Sequence, residues 1–190
     1  MSNKVFIAII AFLAIGSFGF IAMKQKSKPK EVTLGVQHAI QEATHIAQGQ
    51  PHEPYNSEPA SSGPHYADQT APTSWGVYTQ EIPEEVFVHN EEHGGVIITY
   101  KPDLPADQLK QLQALFAPPY SNKDFQPIKA IVMPRSKNTR AIQIASWGYT
   151  LHLDQYDEDT IRKFYLQRVG KSPEAGAGPN NTPINQAAGP

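Results

Sequence analysis

The stretch "HNEEHGG", residues 89–95, sets His89 and His93 four positions apart with Glu92 directly before the second histidine. On a helix, two imidazoles at that interval share one face and can hold zinc while the glutamate activates a metal-bound water. H-x-x-E-H is the inverted signature of zinc proteases. The neighbouring residues point to a different setting. "EVFV" runs into the motif with the β-branched and aromatic character of a strand, Gly94-Gly95 interrupts a helix, and "VIITY" follows as a further strand. The motif is therefore expected in a turn between two strands.

A turn is still compatible with metal binding, because two histidines four apart on a loop can reach one ion at bonds of about 2 Å. The chain has no cysteine, so a transition metal must be held by histidine, carboxylate or methionine. His65 is the strongest third ligand. It ends "SSGPH", where Gly63 and Pro64 restrict the backbone of a loop long enough to fold over a sheet edge. His152, on the last expected strand, is the weaker alternative. Three neutral imidazoles favour zinc or copper over the oxygen-seeking magnesium and calcium. Met133 would add a soft ligand and tilt the choice to copper, but on "AIVMP" it reads more simply as core. Glu91 and Glu92 are expected either as acceptors orienting the imidazoles or as solvent-facing residues. The plainer alternative is that His65, His89 and His93 hydrogen-bond buried backbone and hold the loop on the sheet.

The elements that would position these residues are legible as composition shifts. Val5–Met23 is 19 residues without a charge, about 28 Å as a helix, and is expected to cross the bilayer as a retained single-pass anchor. Residues 1–30 then form anchor and lysine-rich stalk. The soluble part is expected outside the cytoplasm, although the lysines after the span argue the reverse under the positive-inside rule. Residues 31–50, with Val32, Val36, Ile40 and Ile46 spaced along them, predict a polar connecting helix whose His38 and His45 share one face; with His52 they could collect a metal, but solvated positions explain them more simply. Pro51–Gly76 holds five prolines and predicts a long irregular loop, ordered by its tyrosines and Trp75.

Within 51–170, "GVYTQ", "EVFVH", "GGVIITY", "IKAIVMP" and "AIQIASWGYTLHL" predict four or five strands. "LPADQLKQLQALFA" and "DQYDEDTIRKFYLQRV" predict helices, the first opened by Pro105 and the second with acids at its start and bases at its end. Residues 171–190 have little to bury and are expected to be a disordered tail. The fold class is therefore α+β: a small, mainly antiparallel sheet with two flanking helices and a long Pro-rich loop, preceded by one transmembrane helix. Residues 31–170 carry 10 Lys and Arg against 17 Asp and Glu, a formal charge of −7 that disfavours nucleic acid as a partner.

Five segments together, "YNSEPASSGPHY", "WGVY", "VHNEEHGGVIITYKPDLP", "IVMPRSKNTRAIQIASWG" and "IRKFYLQRV", resemble the bacterial family known as domain of unknown function 3105. The resemblance covers roughly residues 50–170. It implies an N-terminal anchor or signal, a small mixed domain and no established activity. His65, His89, Glu92, His93, Gly94, Trp147 and Gly148 fall on its motifs. Asn90-Glu91 departs from the more apolar residue expected before the Glu-His pair, and Met133 lies outside the pattern.

The expected function is a membrane-anchored domain binding copper or zinc through His65, His89 and His93, with the lipid bilayer contacted through residues 5–23. The alternative is a non-enzymatic, membrane-tethered protein-interaction module with structural histidines. A zinc hydrolase of the HxxEH type comes third.

Overall fold

"VIITY" forms a strand whose five residues are all buried, which requires packed layers on both faces. The computed structural model that provides this view describes residues 32–120, 123–125 and 128–188. The expected membrane helix at 5–23 lies outside the described residues, among which no helix is long and apolar enough to cross a membrane. All the elements below belong to the unit that begins at Leu34.

In chain order the strands are β1 (Val36–Gln37), β2 (His45–Ile46), β3 (His65–Tyr66), β4 (Gly76–Val77), β5 (Val96–Tyr100), β6 (Ala130–Pro134), β7 (Ile142–Ser146), β8 (Tyr149–Leu153) and β9 (Ile184–Asn185). The helices are α1 (Glu84–Glu92), α2 (Ala106–Phe116) and α3 (Glu158–Arg168). Seven strands form one sheet in the order β1-β8-β7-β5-β6-β4-β9, while β2 and β3 pair separately. The sheet is mixed rather than mainly antiparallel. β1/β8, β8/β7 and β7/β5 are antiparallel, whereas β5/β6, β6/β4 and β4/β9 are parallel. The parallel β5/β6 pair follows from the long crossover between them, which carries α2.

Side chains alternate along β5. Val96, Ile98 and Tyr100 join Leu112, Phe116 and Phe164 in one core, and Ile97 joins Trp75, Phe87 and Met133 in the other. α2 and α3 cover the first face, as their apolar stripes predict. α1 covers the second. α3 is capped as expected, with the Asp157 carboxylate accepting from the Thr160 N–H at 3.0 Å.

The structure departs from the sequence-based expectations at three places. The connecting helix expected over 31–50 is absent: this stretch is extended, with β1 on the sheet edge beside β8 and β2 beside β3. Its sparse apolar residues stabilise a helix poorly, and Ile46 gains more by packing with Tyr66 and Val86. "EVFVH" is not a strand but most of α1. Glu84 and Glu85 fill its first turn, where they favour the positive helix end, and Val86, Phe87 and Val88 are all buried. Burial of nearly the whole helix circumference accounts for its continuous apolar run.

The third departure is the tail, which is packed. The Trp75 indole N–H donates to the Pro179 carbonyl at 2.7 Å, Trp75 N–H donates to Asn181 Oδ1 at 3.0 Å, and β9 extends the sheet beside β4. Trp75 is 1% exposed. It seats its ring against Gly95, where a Cβ would lie 2.5 Å from the ring. Deleting residues 171–190 is therefore expected to leave the indole N–H unpaired and one face of Trp75 wet, lowering stability by about 2 kcal/mol or more. Urea unfolding of the truncated and full chains measures this; an unchanged midpoint would contradict the packed tail.

Candidate metal centre

α1 places His89, Glu92 and His93 one turn apart, so the H-x-x-E-H motif lies on a helix and not in a turn. Gly94-Gly95 ends that helix. Gly94 takes a positive φ of 85°, its N–H donates to Glu91 O at 2.9 Å, and the Gly95 N–H donates to Asn90 O at 2.9 Å. That paired closure is the Schellman motif.

His65 reaches the helix from β3. Its loop is fixed by the Tyr55 hydroxyl, which donates to Pro64 O at 2.6 Å, and by Ser62 Oγ, which accepts from the Gln41 N–H at 3.0 Å. The parallel register of β2 on β3 sets His45 opposite His65. Ring centroids are 4.9 Å apart for His45 and His65, 4.9 Å for His65 and His89, and 5.3 Å for His45 and His89. One ligand atom from each of His45, His65, His89 and Glu92 lies within 4.8 Å of all the others.

The hydrogen bonds around this group define the tautomers. His89 Nδ1 lies 2.6 Å from Tyr66 O, and His65 Nδ1 lies 2.9 Å from Gly63 O. A carbonyl only accepts, so both Nδ1 atoms carry a proton, and in the neutral ring each Nε2 then presents its lone pair. Backbone carbonyls fix ligating histidines in this way. His65 Nε2 and Glu92 Oε2 are 3.0 Å apart, in ion-pair contact, yet neither has a hydrogen-bond partner of acceptable geometry among the described residues. The edge of a tetrahedron with 2.0–2.1 Å metal bonds is about 3.3 Å, so this separation fits two ligands of one ion.

Burial disfavours charging of His89, pushing its pKa down from 6.5 to about 4 against the raising effect of the Tyr66 carbonyl, with His65, His93 and His45 lowering it further. His93 is also lowered, first by burial. Glu91 is fully buried and held well above the usual carboxylate range by desolvation and the nearby charge of Glu84. Neither glutamate faces solvent. Glu92 points an oxygen at the imidazoles, and Glu91 lies outside the donor group.

Of the three residues expected as ligands, the structure brings His65 and His89 into the four-residue group. His93 stands next to His89, with centroids 4.6 Å apart, but groups with Glu92 and Glu174 and has its Nε2 3.3 Å from Glu174 Oε2. His152 lies elsewhere, bonded through Nε2 to Glu58 O at 2.8 Å. Met133 is core: fully buried, its sulfur accepts from the Ile82 N–H at 3.3 Å. Sequence reasoning missed His45 because the expected helix hid its pairing with β3. It missed Glu174 because the tail was expected to be unstructured.

The family model described as "Protein of unknown function (DUF3105)" matches residues 45–181. The chain belongs to this family. The DUF3105 match begins at His45 and ends at Asn181, so it encloses every donor described above as well as Pro179 and Asn181, which bond to Trp75. No curated protein and no solved structure matches the chain significantly.

The lowered His89 pKa carries a pH dependence. Between about 4 and 6.5 the unfolded chain binds a proton at His89 that the folded chain refuses. The stability this group contributes is thus complete above 6.5 and is lost as pH falls through that window. Glu91 acts oppositely, since the folded state keeps a proton that the unfolded state releases above the usual 4.5. Comparing His89→Gln with the parent isolates the first effect. In metal-free protein, the fall in urea midpoint from pH 7 to 4.5 should be smaller in the variant, and equal falls would refute the assignment.

Proposed function

We propose that this DUF3105 domain binds a divalent transition metal, zinc or copper, through His45, His65, His89 and Glu92, and that residues 5–23 tether it to a membrane. The observation that carries the metal reading is the convergence of four donors, two of them imidazoles already held by main-chain carbonyls in the tautomer that leaves Nε2 free. Three imidazoles and one carboxylate suit zinc and copper, and exclude a hard-cation site built of oxygens. The tether rests on the length and apolarity of the 19-residue uncharged run.

Four protein donors around one tetrahedral ion leave no open position, which favours a structural or carrier role over catalysis. The helical setting of His89, Glu92 and His93 favours a second reading, the zinc hydrolase, in which Glu92 is a general base and not a ligand. Glu92→Gln separates the two. As a ligand, its loss weakens metal binding; as a base, its loss spares the metal and abolishes hydrolysis of an ester or peptide substrate.

The decisive measurement is metal content and zinc or copper affinity of the full chain purified without a histidine tag. His65→Ala and His89→Ala are expected to weaken the tightest equivalent at least roughly 100-fold, since outer partners of ligands alone command 10–100-fold. Saturating metal at 100 times its Kd should stabilise the parent by about 2.7 kcal/mol. A parent chain that folds and binds neither metal overturns the proposal.

A further inference from the structure

Glu92 serves two donor groups. On one side are the three imidazoles described above; on the other, ligand atoms of Glu92, His93 and Glu174 also lie within 4.8 Å of one another. We propose that Glu92, His93 and Glu174 form a second divalent-cation site, so that the Glu92 carboxylate bridges two metal ions in a dinuclear centre. The inference rests on the metal reading of the first group.

Three observations support it. The Glu92 side chain is 6% exposed, and its Oε2 has no hydrogen-bond partner among the described residues. That oxygen lies 3.0 Å from His65 Nε2 and 3.7 Å from His45 Nε2, so the carboxylate already belongs to the first group, and a cation would satisfy it on both sides. His93 is also buried, and its Nε2 faces the group, 3.3 Å from Glu174 Oε2.

The tail, moreover, is anchored on the residue proposed as the bridge. Ser172 Oγ donates to Glu92 O at 2.6 Å and the Glu174 N–H donates to the same carbonyl at 3.1 Å, which brings the Glu174 carboxylate to His93. Close packing of Gly178 on His93, where a Cβ would lie 2.9 Å from Nδ1, holds the ring in place.

The chemistry of the second group differs from the first. One imidazole and two carboxylates form a harder donor set, suited to zinc or manganese and poorly suited to copper(I). Carboxylate-bridged metal pairs lie about 3.5–4 Å apart, a spacing one bridging glutamate can span. The second ion should be the weaker bound. Glu174 is 52% exposed, and the Lys129 ammonium, which donates to the carbonyls of His93 and Ala175 at 3.0 and 2.7 Å, places a positive charge beside this group.

Zinc alone is the probe, added to the metal-free full chain, with stoichiometry read by native mass spectrometry and affinities by calorimetry. The parent is expected to bind two equivalents, the second at least tenfold more weakly. Glu174→Gln, at an exposed position where folding is not at risk, and His93→Gln should each bind one equivalent with the tight affinity retained. A parent binding one equivalent overturns the second site and leaves the first reading standing. Two equivalents in both variants also overturn it, and none in the parent defeats both readings.

Discussion

An imidazole whose Nδ1–H is committed to a main-chain carbonyl has its remaining lone pair on Nε2, and two such rings here aim that lone pair into one small space. Protonation relieves the repulsion only at a cost, because burial penalises the imidazolium and neighbouring rings add to the penalty at His89. Glu92 brings negative charge into the same space without a hydrogen bond to stabilise it. In the proposed centre a small, strongly bound positive charge would reconcile the lone pairs with the carboxylate. The rest of the structure can be understood as the means of holding these donors together against their mutual repulsion.

The fold does this with short elements tied at both ends. α1 is buried over nearly its whole surface, so its rotation about its own axis is fixed by packing, and with it the direction of His89 and Glu92. The Schellman closure at Gly94-Gly95 ends the helix one residue after Glu92 and lets the chain turn directly into β5, the central strand. The two-residue strand β3 contributes a donor of the candidate group through His65 and an acceptor for the His89 ring through the Tyr66 carbonyl. A single backbone segment therefore sets both the position of one imidazole and the tautomer of the next. The tail closes the opposite side through Trp75, whose indole needs an acceptor once buried and finds it at Pro179.

Much of this was legible in the sequence. The β-branched and aromatic runs "VIITY", "AIVMP" and "AIQIASWG", separated by Pro, Gly and Asn, predict strands that are present, and the apolar stripes after Pro105 and Asp157 predict the two flanking helices. His65 and His89 were identifiable as partners from the "SGPH" loop and the H-x-x-E-H spacing. The failure at "EVFVH" has a physical origin: β propensity measures fit to a half-buried surface, and a helix buried all round presents the same continuous apolar run. The glycine pair carried the opposite signal, since Gly-Gly after His93 suits a left-handed helix stop as well as it suits a hairpin. Glu174 was not legible at all, and His45 stood out only as a solvated residue or as part of a separate histidine tract with His38 and His52. Their places depend on pairing between segments 20 and more residues apart, β2 on β3 and the tail on α1, and local composition carries no information about such pairing.

His45 differs from the other donors in a way that bears on the chemistry of the centre. Its side chain is 54% exposed, against 0% for His65 and 6% for Glu92, and it sits on a two-residue strand outside the main sheet. Segments held by few buried contacts open at lower free energy than the core around them. His65, His89 and Glu92 are fixed by α1, β3 and their carbonyls; His45 is fixed chiefly by the β2/β3 pairing. In the proposed centre, an ion held with His45 in place would have four protein donors and be closed to other ligands. With His45 displaced, the remaining two imidazoles and one carboxylate are the donor set of catalytic zinc sites, with a coordination position facing solvent. The distinction between a storage or structural centre and a reactive one thus rests on the stability of a single pair of two-residue strands, the least buried part of the site.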